Sequence, residues 1–195
     1  MAARQRYGPG FMQEHLASRA AGRNAAGLFV AAAAAATLAG AWYFELALGL
    51  APCPLCLDQR VPYYVAVPFA LVLGMTARRD ASREVRSGFL VLAILLAFGA
   101  GLGIYHAGIE WKWWLGPASC AGAGPVTLPD DILSSLKRPQ RFVPCDEAAW
   151  RFLGISLAGY NALISGALAL IALWAARAPS IRGAGEAGEP GIHIR

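Results

Sequence analysis

The chain has 195 residues, 57% of them hydrophobic and only 15% charged, and its mean hydropathy is +0.46. That balance excludes an ordinary water-soluble domain and indicates one integral membrane domain, with most of the chain spent on spans. The formal charge of +5 reads as membrane topology rather than nucleic-acid affinity, because the basic residues cluster beside hydrophobic segments.

In chain order, residues 1–25 carry Arg4, Arg6, Arg19 and Arg23 without a sustained apolar face, which predicts a flexible basic arm. From Ala26 to about Leu48 the chain is apolar over the roughly 20 residues that cross a bilayer. This stretch is too long, and the arm before it too extended, for a cleaved signal peptide. Glu45, near its far end, reads as an interfacial carboxylate, with a proton relay as the less common alternative. A second span covers Val61 to Ala77, with Pro62 tolerated in a first turn and Pro68 predicted to kink the helix. Arg78, Arg79, Arg83 and Arg86 fill a short connection. The third span runs from Phe89 to Tyr105, and its Gly99 and Gly103 form a GxxxG that permits close helix packing.

The segment 106–153 is polar and irregular. Trp111, Trp113 and Trp114 there suit an interfacial belt better than a cofactor box. Asp130 and Asp131 precede Ile132, Leu133 and Leu136, as in a short amphipathic surface helix or an ordinary solvent loop. A fourth span covers Gly154 to Ala176, and residues 178–195 make a Gly-rich hydrophilic tail, predicted to be disordered. The expected fold is therefore all-α, a membrane four-helix bundle over residues 26–177 with a long loop between spans three and four. The arm, the 78–86 connection, Arg177 and the tail hold eleven of the seventeen Lys and Arg residues, and the opposite face holds six. The positive-inside rule then puts both termini in the cytoplasm and all four cysteines outside.

The chemistry concentrates in Cys53-Pro54-Leu55-Cys56-Leu57-Asp58-Gln59-Arg60, at the outer start of span two. A helix beginning near Leu55 would stack Cys56, Gln59 and Arg60 on one face. Helix-start amides and a cation one turn away both stabilise a thiolate, so Cys56 is predicted to be the more acidic thiol. In an oxidising space thiols pair, and the simplest pairing joins Cys53 to Cys56 and Cys120 to Cys145. As a plain staple, the second pair closes a loop of about 25 residues and stabilises by ~3 kcal/mol. The CxxC spacing also suits zinc, but His106 is the one histidine nearby and four outward cysteines would rarely stay reduced, so no metal is expected. Haem attachment needs a histidine directly after the second cysteine, where Leu57 stands.

Together with Tyr105-His106-Ala107-Gly108-Ile109-Glu110-Trp111, the loop cysteines Cys120 and Cys145, and Gly154-Ile155-Ser156-Leu157-Ala158-Gly159-Tyr160-Asn161, this motif resembles the disulfide bond formation protein B (DsbB) family over residues 26–177. The resemblance implies a bacterial inner-membrane enzyme that reoxidises a periplasmic, DsbA-like thioredoxin-fold dithiol oxidase and passes the electrons to the quinone pool, ubiquinone or menaquinone. It implies that Cys120 forms the mixed disulfide with the partner and that Cys145 exchanges with Cys53. It further implies that Cys56 carries the thiolate facing the quinone, with Arg60, His106 and Gln59 as quinone-binding residues. Such a relay needs a labile loop disulfide: structural disulfides lie below roughly −300 mV and the partner oxidase near about −120 mV, a gap of ~8 kcal/mol. Three rivals remain. A quinone reductase of the vitamin K epoxide reductase type would carry its CxxC late in the chain. A non-catalytic membrane scaffold would keep both disulfides as structure. A metal-handling membrane protein would bind metal when purified.

Overall fold

The computed structural model describes residues 9–77, 82–117, 141–142 and 144–177. Its elements are α1 (Pro9–Leu46), β1 (Leu50–Ala51), α2 (Pro54–Asp58), α3 (Val61–Ala77) and α4 (Arg83–Glu110), then β2 (Arg141–Phe142), β3 (Arg151–Phe152), β4 (Ile155–Ser156) and α5 (Leu157–Arg177). Four stretches, Ala21–Leu46, Pro54–Ala77, Arg83–Glu110 and Leu157–Arg177, are long and apolar enough to cross a membrane. The four-helix expectation therefore holds, with four two-residue strands added at the cysteine end. The expectations for Cys120, Arg78, Arg79, the Asp130–Leu136 helix and the 178–195 tail lie outside the described residues.

Several boundaries differ from the sequence reading. The α4 helix runs from Arg83 to Glu110, so Arg83, Arg86 and His106 lie in the helix and not in the connection or the loop. The Ser82 hydroxyl caps it at the Val85 amide, and the backbone stays helical past Tyr105. The arm is helical from Pro9 rather than flexible: proline suits the first helical position, and the residues after it include many good helix formers. Arg23 is buried within this helix, its Nε donating to the Ala175 carbonyl at 3.2 Å, at the open end of α5. The fourth helix starts at Leu157, not Gly154. Leu153 and Gly154 both have positive φ, 50° and 81°, and turn the β3–β4 hairpin in the manner of a two-residue mirror-image turn. The Ser156 hydroxyl then accepts the Gly159 amide at 3.2 Å and starts the helix.

Lipid tails are as apolar as leucine, so helices in a bilayer associate through close contact and hydrogen bonds. Here α1 packs chiefly on α3 and α4 on α5, while α3 against α4 joins the two pairs. A Cβ on Gly27 would lie 2.6 Å from the Gly74 Cα, and Asn24 Nδ2 donates to the Gly74 carbonyl at 2.8 Å beside it. The GxxxG of α4 works as expected: a Cβ on Gly103 would lie 2.7 Å from the Ala162 amide of α5. Tyr63 and Ser165 hydroxyls meet at 2.7 Å across the bundle, whose core holds Phe89, Leu92 and Leu96. Large apolar side chains such as Val91, Phe98, Leu170 and Trp174 face outward, as a lipid-facing surface requires. Pro68 lies inside α3 and offers no amide to the Tyr64 carbonyl.

At one end of the bundle Arg86 Nε joins Arg23 in capping α5, donating to the Ala176 carbonyl at 3.1 Å. At the other end β1 pairs in parallel with β2, in the register Leu50↔Arg141 and Ala51↔Phe142. Cys53 follows β1 by two residues and Cys145 follows β2 by three, so this register carries the two cysteines to one place.

Candidate active site

Proline at the first helical position starts α2 one residue earlier than the sequence suggested, and Cys53 becomes its N-cap. The Cys56 amide donates to the Cys53 sulfur at 3.3 Å. The helix-start donor expected to serve Cys56 thus serves Cys53. Cys53 is almost wholly buried, and its Sγ lies 2.7 Å from the Cys56 Sγ. The Cys53 thiol is lowered from 9.0 to about 5, first by the Cys56 thiol, with burial opposing and His106 adding to the effect. The Cys56 amide and the His106 ring both face the Cys53 sulfur, which favours Cys53 over Cys56 as the thiolate of the pair.

Behind the pair stands a polar chain inside the apolar bundle. Gln59 Nε2 lies 3.2 Å from the Leu55 carbonyl, which can only accept, so that atom is the amide nitrogen. Its Oε1 accepts from Asn161 Nδ2 of α5 at 2.6 Å. The same Gln59 nitrogen lies 2.7 Å from His106 Nδ1, which must therefore accept. The neutral ring then carries its proton on Nε2. His106 Nε2 lies 3.8 Å from the Cys53 sulfur and 4.0 Å from Glu110 Oε1. Glu110 is buried one turn along α4, with the Ser156 hydroxyl facing its carboxyl and no hydrogen-bond partner for Oε2 among the described residues.

Arg60 departs from the sequence reading. It lies in the break between α2 and α3, where its carbonyl accepts the Tyr63 and Tyr64 amides, each at 3.1 Å. Its guanidinium turns to α1, with Nη1 donating to Glu45 at 2.5 Å and Nη2 to the Ala41 carbonyl at 3.5 Å. The Trp42 ring centroid lies 5.9 Å from its Cζ. The Glu45 carboxylate fixes where the guanidinium charge goes. Glu45 is thus the partner of a candidate site residue rather than a lone interfacial acid.

These groups line one largely apolar cavity of about 580 Å³ between α1, α3, α4 and α5, with Cys53, Cys56, Gln59, Arg60 and His106 on its wall. Cys145 shares a buried cluster with Cys53, Leu55 and Ile109 and is disulfide-bonded; its carbonyl faces the His106 ring. Of the sequence candidates, Cys53, Cys56, Gln59, Arg60, His106 and Cys145 come together. Cys120 lies outside the described residues. Asn161 and Glu110 were in the motifs but had no assigned role; an Asn within a span and a Glu four residues after a His were the available signals.

An apolar cavity of this size, bordered by a dithiol, an imidazole and a guanidinium, fits a planar quinone head group. A metal fits less well. The ligand atoms of Cys53, Cys56 and His106 lie within 4.8 Å of one another. Two thiolates on one zinc, each at about 2.3 Å in tetrahedral array, stand about 3.8 Å apart. A sulfur pair at 2.7 Å is set for sulfur–sulfur chemistry.

This fold and this site define a multi-pass helical membrane protein with a buried dithiol centre. The chain belongs to the disulfide bond formation protein DsbB family, whose model matches residues 23–175. It is 35% identical over 159 residues to the disulfide bond formation protein B of Azoarcus sp. (strain BH72), covering 78% of this chain and 92% of that protein. It is 32% identical over 149 residues to the protein of the same name from Polaromonas sp. (strain JS666 / ATCC BAA-500), covering 74% and 84%. The Marinobacter nauticus protein of that name is 32% identical over 146 residues, covering 72% and 83%. No solved structure matches the chain. The protein is thus a multi-pass bacterial membrane protein of disulfide bond formation.

Proposed function

We propose that the protein is a thiol:quinone oxidoreductase of the bacterial inner membrane, which reoxidises a periplasmic DsbA-like dithiol oxidase, with both termini cytoplasmic and the cysteines periplasmic. The observation that carries this reading is the Cys53–Cys56 pair, 2.7 Å apart on the wall of an apolar cavity, with Cys145 packed beside Cys53.

In the first exchange a thiolate of the reduced partner attacks the loop disulfide at Cys120, releasing Cys145 as a thiolate. The partner's second thiol resolves the mixed disulfide and leaves oxidised. Cys145 then attacks Cys53 of the Cys53–Cys56 disulfide, and Cys56 leaves as the thiolate. The resulting loop thiol, that of Cys120, displaces Cys53, which regenerates the loop disulfide and leaves Cys53 and Cys56 as a dithiol. Exchange proceeds through thiolates, so the lowered Cys53 thiol makes it an effective leaving group. The parallel β1–β2 pairing supports the Cys145 to Cys53 step by holding the two segments side by side.

A bound quinone supplies a sink for two electrons and two protons. Gln59, Arg60 and His106 would hold it, since all three line the cavity. His106 offers its Nε2 proton towards the dithiol, while Gln59 and Asn161 fix the ring and its tautomer. Arg60, anchored by Glu45, brings further hydrogen-bond donors to the cavity wall.

The test mixes purified protein in lipid nanodiscs with a reduced thioredoxin-fold oxidase and a short-chain ubiquinone or menaquinone, and follows quinone absorbance. Wild type should reduce the quinone, with Cys56→Ser and Cys145→Ser inactive. Wild type that leaves both quinones oxidised, with its disulfides left intact by the reduced partner, would overturn the proposal in favour of structural disulfides.

A further inference from the structure

Each oxidation of a dithiol releases two protons, and a buried site must hold them before they leave. Glu110 is placed to take one of them. It is buried at the cysteine end of α4, and its Oε2 has no hydrogen-bond partner among the described residues. Burying an unpaired polar atom costs free energy, so its retention needs a reason. Its Oε1 lies 4.0 Å from the same His106 Nε2 that lies 3.8 Å from the Cys53 sulfur. The ring thus has a carboxylate oxygen and a thiol sulfur near its Nε2, with the Cys145 carbonyl also facing it.

We propose that Glu110 is the internal base of the dithiol, sharing a single negative charge with Cys53 through a His106 Nε2 proton that bonds whichever partner is ionised. In one form Cys53 is a thiol, Glu110 is a carboxylate, and His106 Nε2–H faces Glu110. In the other the proton has passed from the Cys53 sulfur to Glu110 through water in the cavity. Cys53 is then a thiolate, Glu110 a carboxylic acid, and Nε2–H faces the sulfur. Charge and protons balance, with His106 Nδ1 facing the Gln59 amide in both forms.

The physical reason is that an apolar cavity tolerates one buried negative charge far better than two. The charged and titratable groups around Glu110 are consistent with this. His106 shares its helix, Cys53 and Cys56 face it from the α2 side, and Arg151 approaches from β3. The Arg60–Glu45 pair, which faces the same cavity from α1 and the α2–α3 break, is internally neutralised. The inference rests on the redox reading of the Cys53–Cys56 pair, but its test needs no quinone.

The experiment takes the full chain, quinone-depleted and reduced, and measures alkylation of Cys53 and Cys56 separately by peptide mass spectrometry from pH 4 to 11, a range of about seven units that brackets ordinary carboxyl and thiol ionisation. Wild type should show two steps in Cys53 reactivity. The first reflects arrival of the shared charge and the second ionisation of both groups, with a plateau between. Glu110→Gln should lose one step and titrate once, and Glu110→Asp should restore two. Infrared difference spectra across the plateau should contain a carboxylic acid carbonyl band that Glu110→Gln removes. A single step in wild type, or two steps unchanged in a folded Glu110→Gln, would overturn the proposal. Failure of quinone reduction by wild type would remove the proposed function and leave this titration result standing.

Discussion

Arg60 and Glu45 form a 2.5 Å ion pair between the α2–α3 break and α1, with side chains 11% and 22% exposed. The pair closes one wall of the cavity that holds the dithiol. Removing one partner leaves a partly buried charge, which costs more than the pair itself contributes. Glu45→Gln and Arg60→Gln should each lower thermal stability. Their double-mutant cycle should give a coupling of about 1–2 kcal/mol, below the fully buried range because both groups keep some exposure. Additive effects in the cycle would show that the pair does not couple.

Gln59 determines which His106 nitrogen carries the proton, so Gln59→Glu should reverse it. A carboxylate can only accept, and Nδ1 would have to donate to it, leaving Nε2 without its proton. Nitrogen NMR of histidine-labelled protein should place the proton on Nε2 in wild type and on Nδ1 in the variant. Thiol oxidation should slow by about 10²-fold, less than the about 10⁴ that a wrong histidine tautomer costs a catalytic triad.

The lowered Cys53 thiol makes a linkage prediction for the reduced protein. Its folded value, about 5, lies below the ordinary 9.0. The stabilisation is therefore complete above pH 9 and is lost as pH falls through about 5. Unfolding of the reduced protein should become progressively easier between those limits, and Cys53→Ser should flatten the curve. Within the same window Cys53 should alkylate faster than Cys56, opposite to what the helix-start argument from sequence predicts.

Glycine positions separate contact from surface. Gly103→Ala would drive a methyl to 2.7 Å of the Ala162 amide, and Gly27→Ala to 2.6 Å of the Gly74 Cα. Backbone cannot yield as a flexible side chain can, so each should destabilise by about 1–3 kcal/mol. Gly101→Ala meets nothing within 4 Å and should be neutral or slightly stabilising in the same thermal assay.

Composition and period alone determined that the chain is a membrane helical bundle, because a bilayer accepts only long apolar segments with their backbone bonds satisfied internally. Local spacing was enough to mark Cys53, Cys56, Gln59 and Arg60, cysteine pairing marked Cys145, and the family resemblance marked His106. The family motifs supplied their expected roles. Three matters were decided only in three dimensions. Glu45 neutralises Arg60 from a different helix, 15 residues away. Asn161, 102 residues from Gln59, orients its amide and through it the His106 ring. The helix start fell at Pro54, which moved the amide donor from Cys56 to Cys53. Each depends on which atom of a side chain meets which partner across the bundle. Hydrophobic period specifies which face of a helix is buried and carries no information about that pairing.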